Sequence, residues 1–127
     1  MIDQDLVAYL VTLATGAGSR VYLGNAPQNV TYPCVVVRRT GGSQPRSIGG
    51  TPLFERSEFS VSVIADNYAD SYPIANTIRD ALKSYRATMG ETVIHVSKCT
   101  LFPTDQSEID GDKVTRWVAL AFSFMHA

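Results

Sequence analysis

The stretch VVVRRTGGSQPRSIGGTPLFERSEFSVSVIAD, residues 35–66, decides how the chain reads. With Cys34 before it, it opens on a run that is apolar at every position, the mark of a strand covered on both faces. It closes on an alternation, Phe59, Val61, Val63 and Ala65 against Glu58, Ser60 and Ser62, which is the period of a strand with one wet face. Between them, from Arg38 to Glu58, the apolar side chains are Ile48, Leu53 and Phe54. If the two strands pair, this intervening segment leaves the globule as an extended hairpin or a loop, and loops of that length inside small domains are functional or disordered.

Working outward, residues 3–15 show Leu6, Leu10, Leu13 and Ala14 at helical spacing behind Asp3, a candidate N-cap. Residues 20–23 predict a short strand, and Tyr32-Pro33 leads into the apolar strand through a bond that is more often trans than cis. Beyond the alternating strand, Ile74, Ala75, Ile78, Ala81 and Leu82 predict a second helix. Asp66-Asn67 or Asp70-Ser71 would cap it, and since a proline is best tolerated in the first turn, Pro73 favours a start near Asp70. Residues 92–102 and 113–126 predict two more strands, the last with Val114, Val118, Leu120, Phe122 and Phe124 on one face and Trp117, Ala119, Ala121 and Met125 on the other. The order α-β-β-β-α-β-β predicts an α+β fold, mainly an antiparallel sheet with two helices packed on it and a long arm between the second and third strands. Its expected core includes Leu10, Val36, Phe59, Val61, Val63, Ile78, Leu82, Leu120 and Phe122.

At 127 residues the chain is expected to form one domain, residues 1–127. A hydrophobic fraction of 45% and a charged fraction of 18% are globular values, and a formal net charge of −1 gives no sign of the clustered cations that tight nucleic-acid binding requires. No apolar run reaches the roughly 18 residues of a membrane span, and the N-terminus lacks a basic signal-peptide region, so the expected starting compartment is the cytoplasm. Cys34 and Cys99 show no metal-ligand spacing and read as free core thiols of an intracellular protein.

The chemistry-bearing residues form no recognisable set. His95 and Cys99 are four apart on a strand, about 13 Å. The acidic run TDQSEIDGDK, residues 104–113, fails the EF-hand spacing and reads as a solvated hairpin turn, with Asp110-Gly111 supplying the positive-φ position. Gly41-Gly42 and Gly49-Gly50 lack the lysine and helix of a phosphate loop. The expectation is a protein without catalytic residues, cofactor or metal.

The arm, in contrast, looks built for a partner. Arg38, Arg39, Arg46 and Arg56 gather four of the eleven basic residues, set against Glu55 and Glu58, a mixture suited to fixing register between subunits. Ile48, Leu53 and Phe54 are candidate anchors buried on assembly, and the paired glycines would permit ordering on binding.

The successions RVYLGNAPQNVTYPCVVVRRTGG, residues 20–42, and RSEFSVSVIADNYADSYPIANTIRDALKS, residues 56–84, resemble the tail terminator (tail completion) proteins of long-tailed, lambda-like bacteriophages and prophages. Pro27-Gln28, Tyr32-Pro33 and the strand-to-helix segment carry most of this likeness. It implies a non-enzymatic ring, typically a hexamer, in the neck region of the virion tail. Such a ring caps the head-proximal end of the tail tube, ends its polymerisation and presents a surface to the head connector. DNA would pass through its channel without specific binding, and no membrane is involved. Another neck, head-closure or minor tail component is the alternative station, and a small cytoplasmic ligand-binding domain with the arm as its lid is the alternative class.

Overall fold

A computed structural model describes residues 2–13, 20–24, 32–43, 55–65, 67–83, 85–90, 92–110 and 113–126. The elements are α1 (Ile2–Thr12), β1 (Val21–Leu23), β2 (Cys34–Ser43), β3 (Glu55–Ala65), α2 (Tyr68–Leu82), β4 (Thr88–Met89), β5 (Thr92–Asp110) and β6 (Lys113–His126). The strands form a six-stranded sheet in the order β1-β2-β3-β6-β5-β4. It is antiparallel except for β1, which lies parallel to β2 with Tyr22 opposite Val36. The fold is α+β, as the patterning predicts, with β4 as a two-residue addition to the expected order.

One sheet face meets both helices. Val35 and Val37 of β2, Phe59, Val61 and Val63 of β3, and Val118, Leu120, Phe122 and Phe124 of β6 share the core with Leu6 and Leu10 of α1 and Ile74, Ile78 and Leu82 of α2. All nine expected core residues are buried. Val36 differs from the other eight, because alternation turns it to the opposite face, where it lines a cleft beside Trp117.

Several boundaries move for identifiable reasons. Asp3 lies inside α1 rather than capping it, and its carboxylate instead meets Arg39. Ala14 and the rest of the expected helix end, residues 14–15, lie outside the described residues. α2 begins at Tyr68, earlier than Pro73 favours, because, of the two candidate caps, it is Asn67 whose Oδ1 accepts from the Asp70 N–H and caps the extra turn. That turn carries Tyr68 and Tyr72. The Tyr68 hydroxyl donates to Gln106 O at 2.9 Å and the Tyr72 hydroxyl donates to Asp105, contacts with β5 that offset the backbone hydrogen bond Pro73 cannot make. The Tyr32–Pro33 bond is cis, against the commoner isomer.

The largest difference is β5, which runs past Phe102 to Asp110. The acidic run is therefore strand up to Asp110, paired with Lys113 of β6, and Gly111-Asp112 lie outside the described residues. Register shifts between Ile94 and Val96, Cys99 and Leu101, and Leu101 and Thr104 interrupt the period of two, so composition there resembles a turn. They also leave Cys99 half-buried rather than in the core, whereas Cys34 is fully buried. At the start of β5, Gly90 sits at φ +59°, where a side-chain carbon would fall 2.5 Å from the Asp5 carboxylate. Thr92 donates to the same carboxylate at 2.6 Å, which ties the β4–β5 turn to α1.

Candidate assembly surfaces

Of the two alternatives for the arm, its base takes the extended hairpin: it is a regular ladder. Pairing of β2 with β3 continues through Gly42 opposite Ser57 to Ser43 opposite Arg56, with one irregularity between Arg39 and Gly41. Of the arm residues singled out from sequence, Arg38, Arg39 and Arg56 are therefore on strands. Arg46, Ile48, Leu53 and Phe54 lie outside the described residues.

The three arginines have different surroundings. Arg38 is exposed and donates from Nε to Gly24 O at 2.7 Å, linking β2 to the turn after β1. Arg39 faces α1: its Nη2 donates to Asp3 Oδ1 at 2.5 Å and its Nη1 to Ser57 Oγ at 3.0 Å. The guanidinium lies over the Phe59 ring, 5.2 Å from its centre, a favourable position for a cation on an aromatic face. The hydrogen bond from Arg39 holds the Asp3 carboxyl below its ordinary range against the opposing effect of burial, and Asp3 in turn raises Arg39. Arg56 is exposed beside Lys98 in a cleft described below.

Behind Arg39 the polar chain continues inward. Ser57 Oγ is 2.8 Å from His126 Nε2, and both residues are buried at 1% and 3% exposure. With Arg39 donating to Ser57, the geometry fits the Ser57 hydroxyl proton pointing at His126 Nε2. A serine–histidine pair invites comparison with a hydrolase. In a catalytic triad the acid holds the other ring nitrogen, whereas Glu55 lies 4.0 Å from Nε2 itself. A serine sealed from solvent also meets no substrate. The chain Asp3–Arg39–Ser57–His126 is a clasp that joins α1, β2, β3 and the end of β6. Burial pushes both the Cys34 and Cys99 thiols up, away from the reactive thiolate form. Among the described residues no three metal-capable side chains converge, and His95 is exposed.

Sequence patterning misses the surface of β5. Among the described residues, Leu23, Tyr32, Val93, Val96, Leu101, Phe102 and Ile109 are the exposed large apolar side chains, and the last five are all on this strand. Phe102 and Ile109 are the extremes, at 67% and 73%. β4 pairs with Thr92 and Val93, and beyond them the outer edge of β5 has no partner strand among the described residues. The helix-free sheet face adds two clefts. One, of about 330 Å³, is lined by Val36, Arg38, Ile64, Glu108 and Trp117 among others. The other, of about 240 Å³, lies between outward side chains of β3, β5 and β6, with Arg56, Lys98 and Met125 around it. A surface of open edges, exposed apolar side chains and shallow mixed-charge clefts suits protein partners better than a small ligand.

The sequence profile of the tail completion protein gp17 family matches residues 4–127. The chain belongs to that family. It is accordingly a structural protein of phage tails, and the resemblance seen in the β1–β2 and β3–α2 segments holds along nearly the whole chain. None of the curated proteins matches it in sequence. Among solved structures, a chain from the virion of a native gene transfer agent particle shares the fold with a TM-score of 0.60. The two are 19% identical over 97% of this chain and 89% of that one. No helix among the described residues is long and apolar enough to cross a membrane.

Proposed function

We propose that this tail completion protein acts as one unit, residues 1–127, that assembles into a ring at the head-proximal end of the tail tube. One face of the ring complements the last tube ring and the opposite face recruits no further tube subunit, so polymerisation ends and a surface remains for the head connector. The observation that carries the reading is the family match over residues 4–127. It is supported by a fold that recurs in a chain of the gene transfer agent virion and by the β5–β6 ribbon, whose pairing continues beyond β3 at one end of the sheet. A hexamer is the expected ring, with the β2–β3 arm, including Arg38, Arg39, Arg46, Ile48, Leu53, Phe54 and Arg56, among its subunit or tube contacts. A formal net charge of −1 suits a channel that DNA traverses without adhering.

The test is polymerisation of purified tube protein with and without this chain, read by electron microscopy. Added protein is expected to appear as a ring at one tube end and to shorten the length distribution. Unchanged lengths and bare ends would overturn the proposal.

A further inference from the structure

Folding leaves an aromatic ring in water on one face of the sheet and an apolar hollow unfilled on the other. The ring is that of Phe102, the most exposed aromatic side chain among the described residues at 67%. It stands on the helix-bearing face, where the Arg79 guanidinium of α2 lies 5.9 Å from its centre and covers one side of it. Asp80 takes only Nη2 of that guanidinium, and neither Nε nor Nη1 donates to any described residue. An apolar ring thus sits in water beside a cation with donors to spare.

The hollow is the cleft of about 330 Å³ on the helix-free face. Val36, buried, and Ile64 and Trp117, half-buried, give it an apolar floor, and Ile64 and Trp117 are paired across β3 and β6. With β3 and β6 between them, Arg38 on β2 and Glu108 on β5 stand at its opposite rims. Arg38 is held by Gly24 O, whereas the exposed Glu108 carboxylate makes no ion pair or hydrogen bond with the described residues. The volume admits a single aromatic ring and is near the lower limit for a small-molecule site. An apolar floor beside an unpaired anion is the complement of an apolar ring beside an uncommitted cation.

We propose that Phe102 of one copy seats in the Val36–Ile64–Trp117 cleft of the next, with Arg79 against Glu108. This rests on the ring reading above and names its subunit contact. Because ring and cleft lie on opposite faces of the sheet, Phe102 cannot fill the cleft of its own chain, and two copies cannot exchange both halves across a two-fold axis. The contact is heterologous and runs from copy to copy, as a closed ring requires.

Two full-length variants separate the halves. Phe102→Ser removes the ring from an exposed site, and Ser62→Tyr, opposite Val36 on the cleft floor, fills the hollow with a residue that suits a strand. Sedimentation velocity is expected to show assembly for the wild type, association weakened about thirtyfold or more in each variant, and a one-to-one heterodimer for their mixture. The mixture stops there because one intact ring meets one intact cleft and the other halves are disabled. Trp117 is the single tryptophan of the chain, so its emission is expected to move to shorter wavelength as the wild type assembles and to stay unshifted in Phe102→Ser at the same concentrations. Either variant assembling like the wild type, a monomeric mixture, or wild-type assembly with unshifted emission overturns this contact while leaving the ring reading in place. A wild type that stays monomeric over its whole soluble range overturns the ring reading and this contact with it. Glu108→Arg, a change at an exposed side chain, is expected to weaken association about tenfold, and wild-type association in that variant would also overturn the contact.

Discussion

The β2–β3 end and the β5–β6 end of this sheet are both polar in composition, yet they handle their charges and apolar side chains in opposite ways. At the β2–β3 end the central cation is directed inward: Arg39 meets Asp3 and Ser57 and covers Phe59. At the β5–β6 end the apolar residues are directed outward, with Phe102 and Ile109 largely exposed, while Asp105 accepts from Tyr72 at the surface. The first end is braced by its own fold. The second is tied to α2 through Tyr68, Tyr72 and Arg79, which lies over the Phe102 ring, yet it leaves Ile109 exposed, so substitutions at Arg39 and at Ile109 should separate stability from assembly.

The largest effect is expected where both ends share a foundation. Phe59 is fully buried, lies opposite Phe122 in the ladder and has its ring 6.0 Å from that of Phe124. Phe59→Ala should cost about 3–5 kcal/mol, the usual range for a buried aromatic, and should also remove the surface on which Arg39 rests. Chemical denaturation measures this. A loss under about 1 kcal/mol would mean that the two ends do not share one core.

Next comes Arg39→Ala. It leaves the nearly buried Asp3 carboxylate without its principal donor and Ser57 without one of its partners, expected to cost about 1–2 kcal/mol after allowance for the 41% exposure of the arginine side chain. The acid dependence gives an independent reading. Asp3 is held below its ordinary range chiefly by the Arg39 hydrogen bond, so the unfolded chain binds its proton at higher pH than the native one. The stabilisation is therefore fully present above the unfolded value of about 3.9 and is lost as pH falls through the lower native value. Asp3→Asn should flatten this part of the acid-unfolding curve. An acid limb of unchanged slope would show that the clasp contributes nothing to the β2–β3 end.

Much of this arrangement is legible in the sequence wherever the strand period is unbroken. β3 and β6 keep their alternation throughout, and their buried sets follow from it. The same parity carries a further signal. Ser57 falls on the buried face of β3 with Phe59, Val61 and Val63, and His126 on that of β6 with Leu120, Phe122 and Phe124. Two polar residues in apolar registers imply a partner for each, and they find one another. Other features carry no local mark. The Asp3–Arg39 pair joins residues 36 apart, and bulges break the period of β5, so a strand of nineteen residues resembles a shorter strand and a turn. The polar base of the arm reads equally as hairpin or loop, because composition records solvent exposure and not backbone pairing.

The smallest effect on stability should come from Ile109→Ser, and it is the sharpest test of the contrast between the ends. Folding gains from an apolar side chain in proportion to the area it removes from water, and at 73% exposure Ile109 removes little. Its backbone still pairs with Val114 whatever side chain it carries. Serine has lower strand propensity, a penalty of a few tenths of a kcal/mol at an exposed site near a ribbon end. The denaturation midpoint is therefore expected to stay within about 0.5 kcal/mol of the wild type. A loss as large as that of Arg39→Ala would mean that Ile109 supports the subunit itself and that both ends of the sheet serve folding. If stability is retained while self-association falls, the exposed isoleucine belongs to a surface that only a neighbouring molecule completes.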